Sequence, residues 1–361
     1  LEDDLSELNS VRRDITEKNI ELKSELTKLI ISNNDIDDLL KRRVEQQKKL
    51  EIATKQERDK LKKFAENAVE TAMANLGGLV AGASVVPINF HLTAEEVNYI
   101  LGDSGTRVLF VGPETWERGV EAAQGTQVHT VVAWGAPEGS AVTPWSDWLA
   151  GNEAGEPDQS VPPLPNLLYT SGTTGRPKGT DLPPTMFAGG ATVDEHLANF
   201  KAGVLERSGG VIGPQLVVGP MYHTGPLSGT RQLIAGVSSV IMARFNAERT
   251  LEAIQQHGIF SSIMVPTHFV RLLALPDDVR AKYDISSIRS ISHTGAKCPV
   301  DVKREMIEWF GPVFLDAYGA SEVGTTCMIT SEEWLRNPGS VGRAVPPFTA
   351  RILDDDNNDL P

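Results

Sequence analysis

With 361 residues, of which 40% are hydrophobic and 23% charged, the chain has material for two or three domains and a large core. Its formal charge of −14 leaves no basic surface for a phosphate backbone, so nucleic acid is not expected as a partner. Two cysteines, Cys298 and Cys327, are too few for a disulfide framework or a zinc site and point to a reducing cytoplasm, and neither a membrane span of ~18 apolar residues nor an export signal is expected.

Leu1 to Leu76 contain no Gly, Pro or Trp, so composition places a boundary between residues 65 and 80. Leu1, Leu5, Leu8, Ile15, Leu22, Leu26, Leu29, Ile36 and Leu40 follow heptad spacing, with Asn19 and Asn33 in the same seam. Polar residues there fix alignment and favour two strands. A parallel coiled coil over residues 1–70, pairing two copies into a homodimer, is expected ahead of a second domain at 71–361.

From Leu76 to Asn89 the sequence reads as helix end, turn and buried strand. Thr93 with Glu96 forms a capping box that starts a helix. Arg107–Val111 and Val128–Ala133 are apolar runs of strand length, Trp145–Pro163 a surface loop, and Asn166-Leu167-Leu168 a strand. Further on, Leu216–Pro220 reads as strand and turn, Val240–Met242 and Ser262–Val265 as strands, and Ala247–Gln256 as a helix. Asp181–Pro184 and Gly189-Gly190 break any regular pattern. The alternation predicts a mostly parallel α/β sheet with flanking helices.

The run Tyr169-Thr170-Ser171-Gly172-Thr173-Thr174-Gly175-Arg176-Pro177-Lys178-Gly179 carries the chemistry. Gly172 and Gly175 allow the backbone N–H groups to turn inward, Thr170, Ser171, Thr173 and Thr174 add hydroxyl donors, and Lys178 supplies a mobile charge: a loop for phosphate. It is not a Walker A loop, because Pro177 stands where the second Gly belongs and Gly179 where the hydroxyl belongs. A serine-hydrolase elbow is excluded too, since Gly319-Ala320-Ser321-Glu322-Val323 lacks the final Gly. Glu322 is a carboxylate suited to a hard dication.

Thr-Ser-Gly-Thr-Thr-Gly-x-Pro-Lys-Gly resembles the phosphate loop of the adenylate-forming superfamily, which includes acyl-CoA synthetases, luciferases and the adenylation domains of peptide synthetases. The resemblance runs over residues 72 to 361 through Gly82–Asn89, Leu92–Val97, Asp103-Ser104-Gly105, the His223 segment, Thr294-Gly295-Ala296-Lys297, Asp316–Glu322 and Gly339–Arg343. It implies the layered α/β large domain of that family, and catalytic roles for Lys178, Glu322, Thr170 and His223, the last gating an acyl pocket. Gly295, Ala296 and Lys297 would line the adenine, which Tyr318 packs against and Asp316 meets at its amino group, with Ala317 and Gly319 in the same motif. Ser321 would touch the α-phosphate, and Thr170 and Glu322 would hold Mg²⁺.

The implied reaction is that of an AMP-forming acyl-CoA ligase: a carboxylic acid, of fatty-acid type, plus ATP gives acyl-adenylate, which coenzyme A converts to a thioester. The resemblance also implies a domain shortened at both ends, joined to a foreign coiled coil and ending before the family's small C-terminal domain, with impaired activity expected. The other reading is a dimerising scaffold whose globular part is a vestigial or trimmed synthetase.

Overall fold

The computed structural model describes Lys18 and residues 69–152, 155–170, 176–183 and 186–359. The chain divides into two units, Leu1–Lys62 and Lys63–Pro361, and every helix and strand from Val69 onwards belongs to the second. The coiled coil expected over residues 1–70 therefore lies, Lys18, Val69 and Glu70 apart, outside the described residues.

Helix α1 (Val69–Val80) leads through a turn into an extended segment over residues 83–89 rather than the buried strand expected within Gly82–Asn89. Pro87 has no N–H for a ladder, and the segment is tied to the stretch before β4 by isolated bonds: the Leu167 N–H donates to the Val85 carbonyl at 3.1 Å, and Ser84 Oγ to the Pro165 carbonyl at 2.7 Å. Helix α2 (Ala94–Ser104) starts where the capping box predicts, with Thr93 and Glu96 bonded both ways, and ends on Gly105 in the left-handed region. Strands β1 (Val108–Val111), β2 (Thr130–Ala133) and β3 (Thr143–Pro144) form a three-stranded parallel sheet, with α3 (Trp116–Ala123) crossing between the first two. Val97 and Leu101 of α2 and Ala122 of α3 close its core against Leu109, Val111 and Ala133.

The loop expected at Trp145–Pro163 opens instead with a short helix, α4 (Trp145–Ala150). Its cause is aromatic: Trp145 and Trp148 both meet Phe110 edge-on, at 5.8 and 5.9 Å, and Trp145 also meets Trp134 at 6.2 Å. Strand β4 (Leu167–Thr170) pairs antiparallel with β5 (Lys178–Asp181). The sequence Lys-Gly-Thr-Asp has no strand alternation, so β5 exists because β4 supplies its partner.

The larger sheet comes after α5 (Val193–Arg207). It contains β6 (Gln215–Val217), β7 (Ser239–Ile241), β8 (Ser261–Met264), β9 (Ser290–His293), β10 (Phe314–Ala320), β11 (Gly324–Thr330) and β12 (Arg343–Ala344), in the spatial order β12-β11-β10-β9-β8-β6-β7. From β7 to β10 neighbours are parallel, and β11 and β12 extend the sheet antiparallel. Side chains alternate along β6: Leu216 and Val218 join one core with α7 (Ala247–His257), α8 (Pro266–Leu273), α10 (Val300–Phe310) and α11 (Ser331–Arg336), while Val217 packs against Ala72 of α1 on the opposite side. Helix α6 (Thr224–Arg231) crosses from β6 towards β7, and the short α9 (Asp277–Arg280) precedes β9. Among the described residues no helix is long and apolar enough to cross a membrane.

Phe269 on α8 is fully buried, meeting Phe314 edge-on at 5.4 Å and the His293 ring at 5.3 Å. Phe269→Ala removes both contacts and leaves a cavity, so urea unfolding of the variant is expected to show a loss of about 3–5 kcal/mol. A loss under about 1 kcal/mol would contradict this packing.

Candidate functional site

Parallel pairing carries the C-terminal ends of four strands to one edge. Met264, His293 and Asp316 are neighbours across β8, β9 and β10, and Val217 lies beside Ile263 across β6 and β8. Beyond these ends come His223 at the start of α6, Pro266 at the start of α8, the turn Thr294–Lys297 and the turn Ser321–Val323. The chain runs from β6 to β7 on one side and then to β8 on the other, and open α/β sheets bind ligands at such a reversal.

Each turn has a local cause. Gly295 takes φ of 86°, which lets Ala296 and Lys297 project from the end of β9 as exposed residues. On β10 the register with β11 shifts between Tyr318 and Gly319, and a Cβ on Gly319 would lie 1.9 Å from the Gly324 carbonyl oxygen. Only glycine fits there. Tyr318 is 57% exposed at this bulge, Ser321 is half-buried and Glu322 exposed.

Beneath the turn lies a buried charge cluster. Lys303, on the apolar stripe of α10 with Met306 and Ile307, donates from Nζ to Asp316 Oδ2 at 3.0 Å, and its ammonium lies 4.9 Å from the Trp334 ring centre. His293 Nε2 lies 3.6 Å from the same oxygen, too far for a hydrogen bond, and among the described residues neither ring nitrogen has a hydrogen-bond partner. Burial pushes His293 down to about 4, with Asp316 opposing and Lys303 adding to the shift. Burial also lowers Lys303, against the upward pull of Asp316, and pushes the neighbouring Cys298 thiol up to about 11. The carboxylate expected at an adenine is thus tied to a lysine. A lysine three and four residues before Met306 and Ile307 was the available signal for it.

The second group sits on the hairpin. Thr170 and Lys178 are directly paired at the mouth of β4 and β5, Thr170 half-buried and Lys178 exposed. Ser171, Gly172, Thr173, Thr174 and Gly175, which join them, lie outside the described residues. At the foot of β4, buried Arg231 of α6 donates to Asn166 Oδ1 at 2.5 Å, and burial pushes the guanidinium down to about 10. His223 stands at the other end of α6, its ring tilted by 46° against Tyr222 with centres 4.2 Å apart, and Tyr222 meets Phe90 at 5.4 Å. Desolvation lowers the His223 pKa. Sequence reasoning missed Arg231 and Asn166, since neither lies in a motif.

Among the described residues no three His, Cys, Asp or Glu side chains gather as a metal site. The Thr170 hydroxyl and Glu322 carboxylate, expected as Mg²⁺ ligands, are hard oxygen donors of the kind that ion takes.

A family model described as AMP-binding enzyme matches residues 54–361, beginning inside the segment expected as coiled coil. An indoleacetate–CoA ligase from Aromatoleum aromaticum is 31% identical over 77% of this chain and 53% of its own length. A fatty acid–[acyl-carrier-protein] ligase from Streptomyces coeruleorubidus is 29% identical over 78% of this chain, again 53% of its own. The chain spans about half the length of these relatives. In fold it is similar to the structure of an amide bond synthetase from Marinactinospora thermotolerans, with a TM-score of 0.62 and 21% identity over 82% of this chain and 57% of that one.

A histidine whose folded pKa lies below its unfolded value favours the folded state above the unfolded pKa and loses that contribution as pH falls through the folded one. For His293 the window runs from about 6.5 to about 4. It accounts for roughly 2 kcal/mol of stability lost between about pH 7 and 5, so His293→Gln should shrink that loss by about this amount in urea titrations at the two pH values. An unchanged difference would show that the ring is not held neutral.

Proposed function

The chain belongs to the AMP-binding enzyme family, and from that premise we propose that it activates a carboxylic acid with ATP, forming an acyl-adenylate and pyrophosphate, and transfers the acyl group to the thiol of coenzyme A. One observation carries the reading: the parallel sheet gathers the Gly295–Lys297 turn and the Asp316–Glu322 turn at a single edge, the two segments whose motifs resemble an adenine and α-phosphate site.

Thr294–Lys297 and Tyr318 would flank the base, exposed Tyr318 offering a ring face for stacking. Asp316, held by Lys303, would accept from the exocyclic amine. Ser321 would donate to the α-phosphate, while Thr170 and Glu322 would hold Mg²⁺ against the phosphates and Lys178 would meet the outer ones. Catalysis in this arrangement is electrostatic. As the carboxylate attacks the α-phosphorus, Lys178 would offset charge building on the phosphate oxygens and the departing pyrophosphate, and a metal ion held by Thr170 and Glu322 would supply further Lewis-acid stabilisation.

The acid is proposed to be apolar. At the β8 end, Ile263 and Val265 are half-buried apolar side chains, and with the aromatic run Phe90, Tyr222 and His223 they offer apolar and aromatic surface beside the same edge. A fatty acid fits that description, and so does the arylacetate in the name of one relative. We place the reaction in the cytoplasm, where ATP and coenzyme A are available and the free thiols of Cys298 and Cys327 persist. The heptad seam of residues 1–64 is proposed to join two copies.

The test is exchange of labelled pyrophosphate into ATP with a panel of apolar carboxylic acids. Exchange should require the acid, and Lys178→Ala should reduce it by about a hundredfold or more, the cost of a lost transition-state charge contact. Exchange indifferent to the acid, or to Lys178, would overturn the assignment.

A further inference from the structure

Helix α2 grips the proposed phosphate loop by both stems. Tyr169 donates from its phenol to Asp103 Oδ2 at 2.6 Å. One helical turn earlier, Tyr99 donates to the Pro177 carbonyl at 3.1 Å, and the Arg176 guanidinium lies 5.0 Å over the Tyr99 ring. Spacing of i and i+4 puts Tyr99 and Asp103 on one helix face, towards the hairpin. Tyr169 immediately precedes Thr170, and Pro177 immediately precedes Lys178, so each bond ends one residue from a member of the pair that opens the loop.

The gripping element is well anchored. Its N-terminus is closed by the Thr93–Glu96 box, its C-terminus by Gly105, and Val97 and Leu101 are buried against the three-stranded sheet. The foot of the hairpin has separate ties: Arg231 to Asn166, and the Leu167 N–H to the Val85 carbonyl. Losing the α2 contacts therefore leaves the hairpin attached and frees its mouth. Burial, then the Asp103 carboxylate, holds the Tyr169 phenol above its ordinary pKa, so it stays a donor throughout the physiological range.

We propose that Asp103 and Tyr99 are positioning residues for the outer phosphates of the nucleotide: neither touches it, and each fixes the backbone next to Thr170 or Lys178 by binding the adjoining stem residue. The inference rests on the reading of residues 170–178 as a phosphate loop.

Calorimetric titration of the 361-residue chain with Mg²⁺-ATP and with AMP tests both, using Asp103→Asn, Tyr99→Phe, Lys178→Ala and the double variant Asp103→Asn/Lys178→Ala. Asp103→Asn is expected to weaken ATP about three- to tenfold and leave AMP within about twofold, and to have no further effect once Lys178 is gone, since groups acting through one element are not additive. Tyr99→Phe keeps the ring under Arg176 and loses only the O–H; it should weaken ATP alone in the same sense, and it serves if Asp103→Asn does not fold. Equal losses for ATP and AMP in the Asp103 and Tyr99 variants, or an Asp103 effect undiminished without Lys178, would overturn the inference. If Lys178→Ala itself weakens both nucleotides alike, the phosphate-loop reading fails first, and the two failures are told apart by that single variant.

Discussion

The buried ion pair between Lys303 and Asp316 is the contact on which the arrangement of the site depends. It joins α10 to β10 directly beneath the turn that presents Tyr318, Ser321 and Glu322. Lys303 is 1% exposed, so slipping β10 by one residue would carry Asp316 to the other face of the sheet and leave a buried ammonium without a partner. Breaking such a pair from one side costs on the order of 3–5 kcal/mol, which makes the register of β10 against β9 expensive to lose. That register in turn aligns Asp316 with His293 and Met264 and brings four loop mouths to one edge. The same pair orients the Asp316 carboxylate through its Oδ2.

The hairpin obeys a different logic. Its pairing of Thr170 with Lys178 needs no buried charge at the mouth, and Lys178 stays exposed. Rigidity comes from both flanks: α2 at the mouth through Asp103 and Tyr99, and α6 at the foot through Arg231. Helix α6 also begins at His223, so a single helix touches the foot of the hairpin at one end and the sheet edge at the other. Both stem residues next to the Thr170–Lys178 pair, Tyr169 and Pro177, are tied to one helix, α2.

Much of this was legible in the residues. The capping box of α2, the apolar runs of β1, β2, β6 and β8 and the periodicity of α7 each follow from local rules, and the structure places them within a residue or two of expectation. The expected site residues of the sheet edge are brought together because motifs there sit at strand ends, where sequence order and spatial order agree. What failed to show in the sequence depends on partners far along the chain. Strand β5 forms against β4 despite a poor strand sequence, α4 forms around Phe110, and residues 83–89 form no strand, Pro87 lacking a donor for a ladder. Lys303, Arg231, Tyr99 and Asp103 fall in the same class. Each is ordinary in its own helix and becomes significant only through a residue 13 or more positions away, as the separations of 13 for Lys303 and Asp316, 65 for Arg231 and Asn166, 78 for Tyr99 and Pro177 and 66 for Asp103 and Tyr169 illustrate.

The central claim is that hairpin and sheet edge hold opposite ends of one nucleotide. Photolabelling with two ATP analogues, one carrying an azide on the adenine and one on the γ-phosphate, followed by peptide mapping, tests it most directly. The account predicts that the base label falls on the peptides containing Thr294–Lys297 or Asp316–Glu322, that the phosphate label falls on the Tyr169–Lys178 hairpin, and that ATP suppresses both. ATP-protected labels on the reverse peptides, or a phosphate label away from the hairpin, would contradict it.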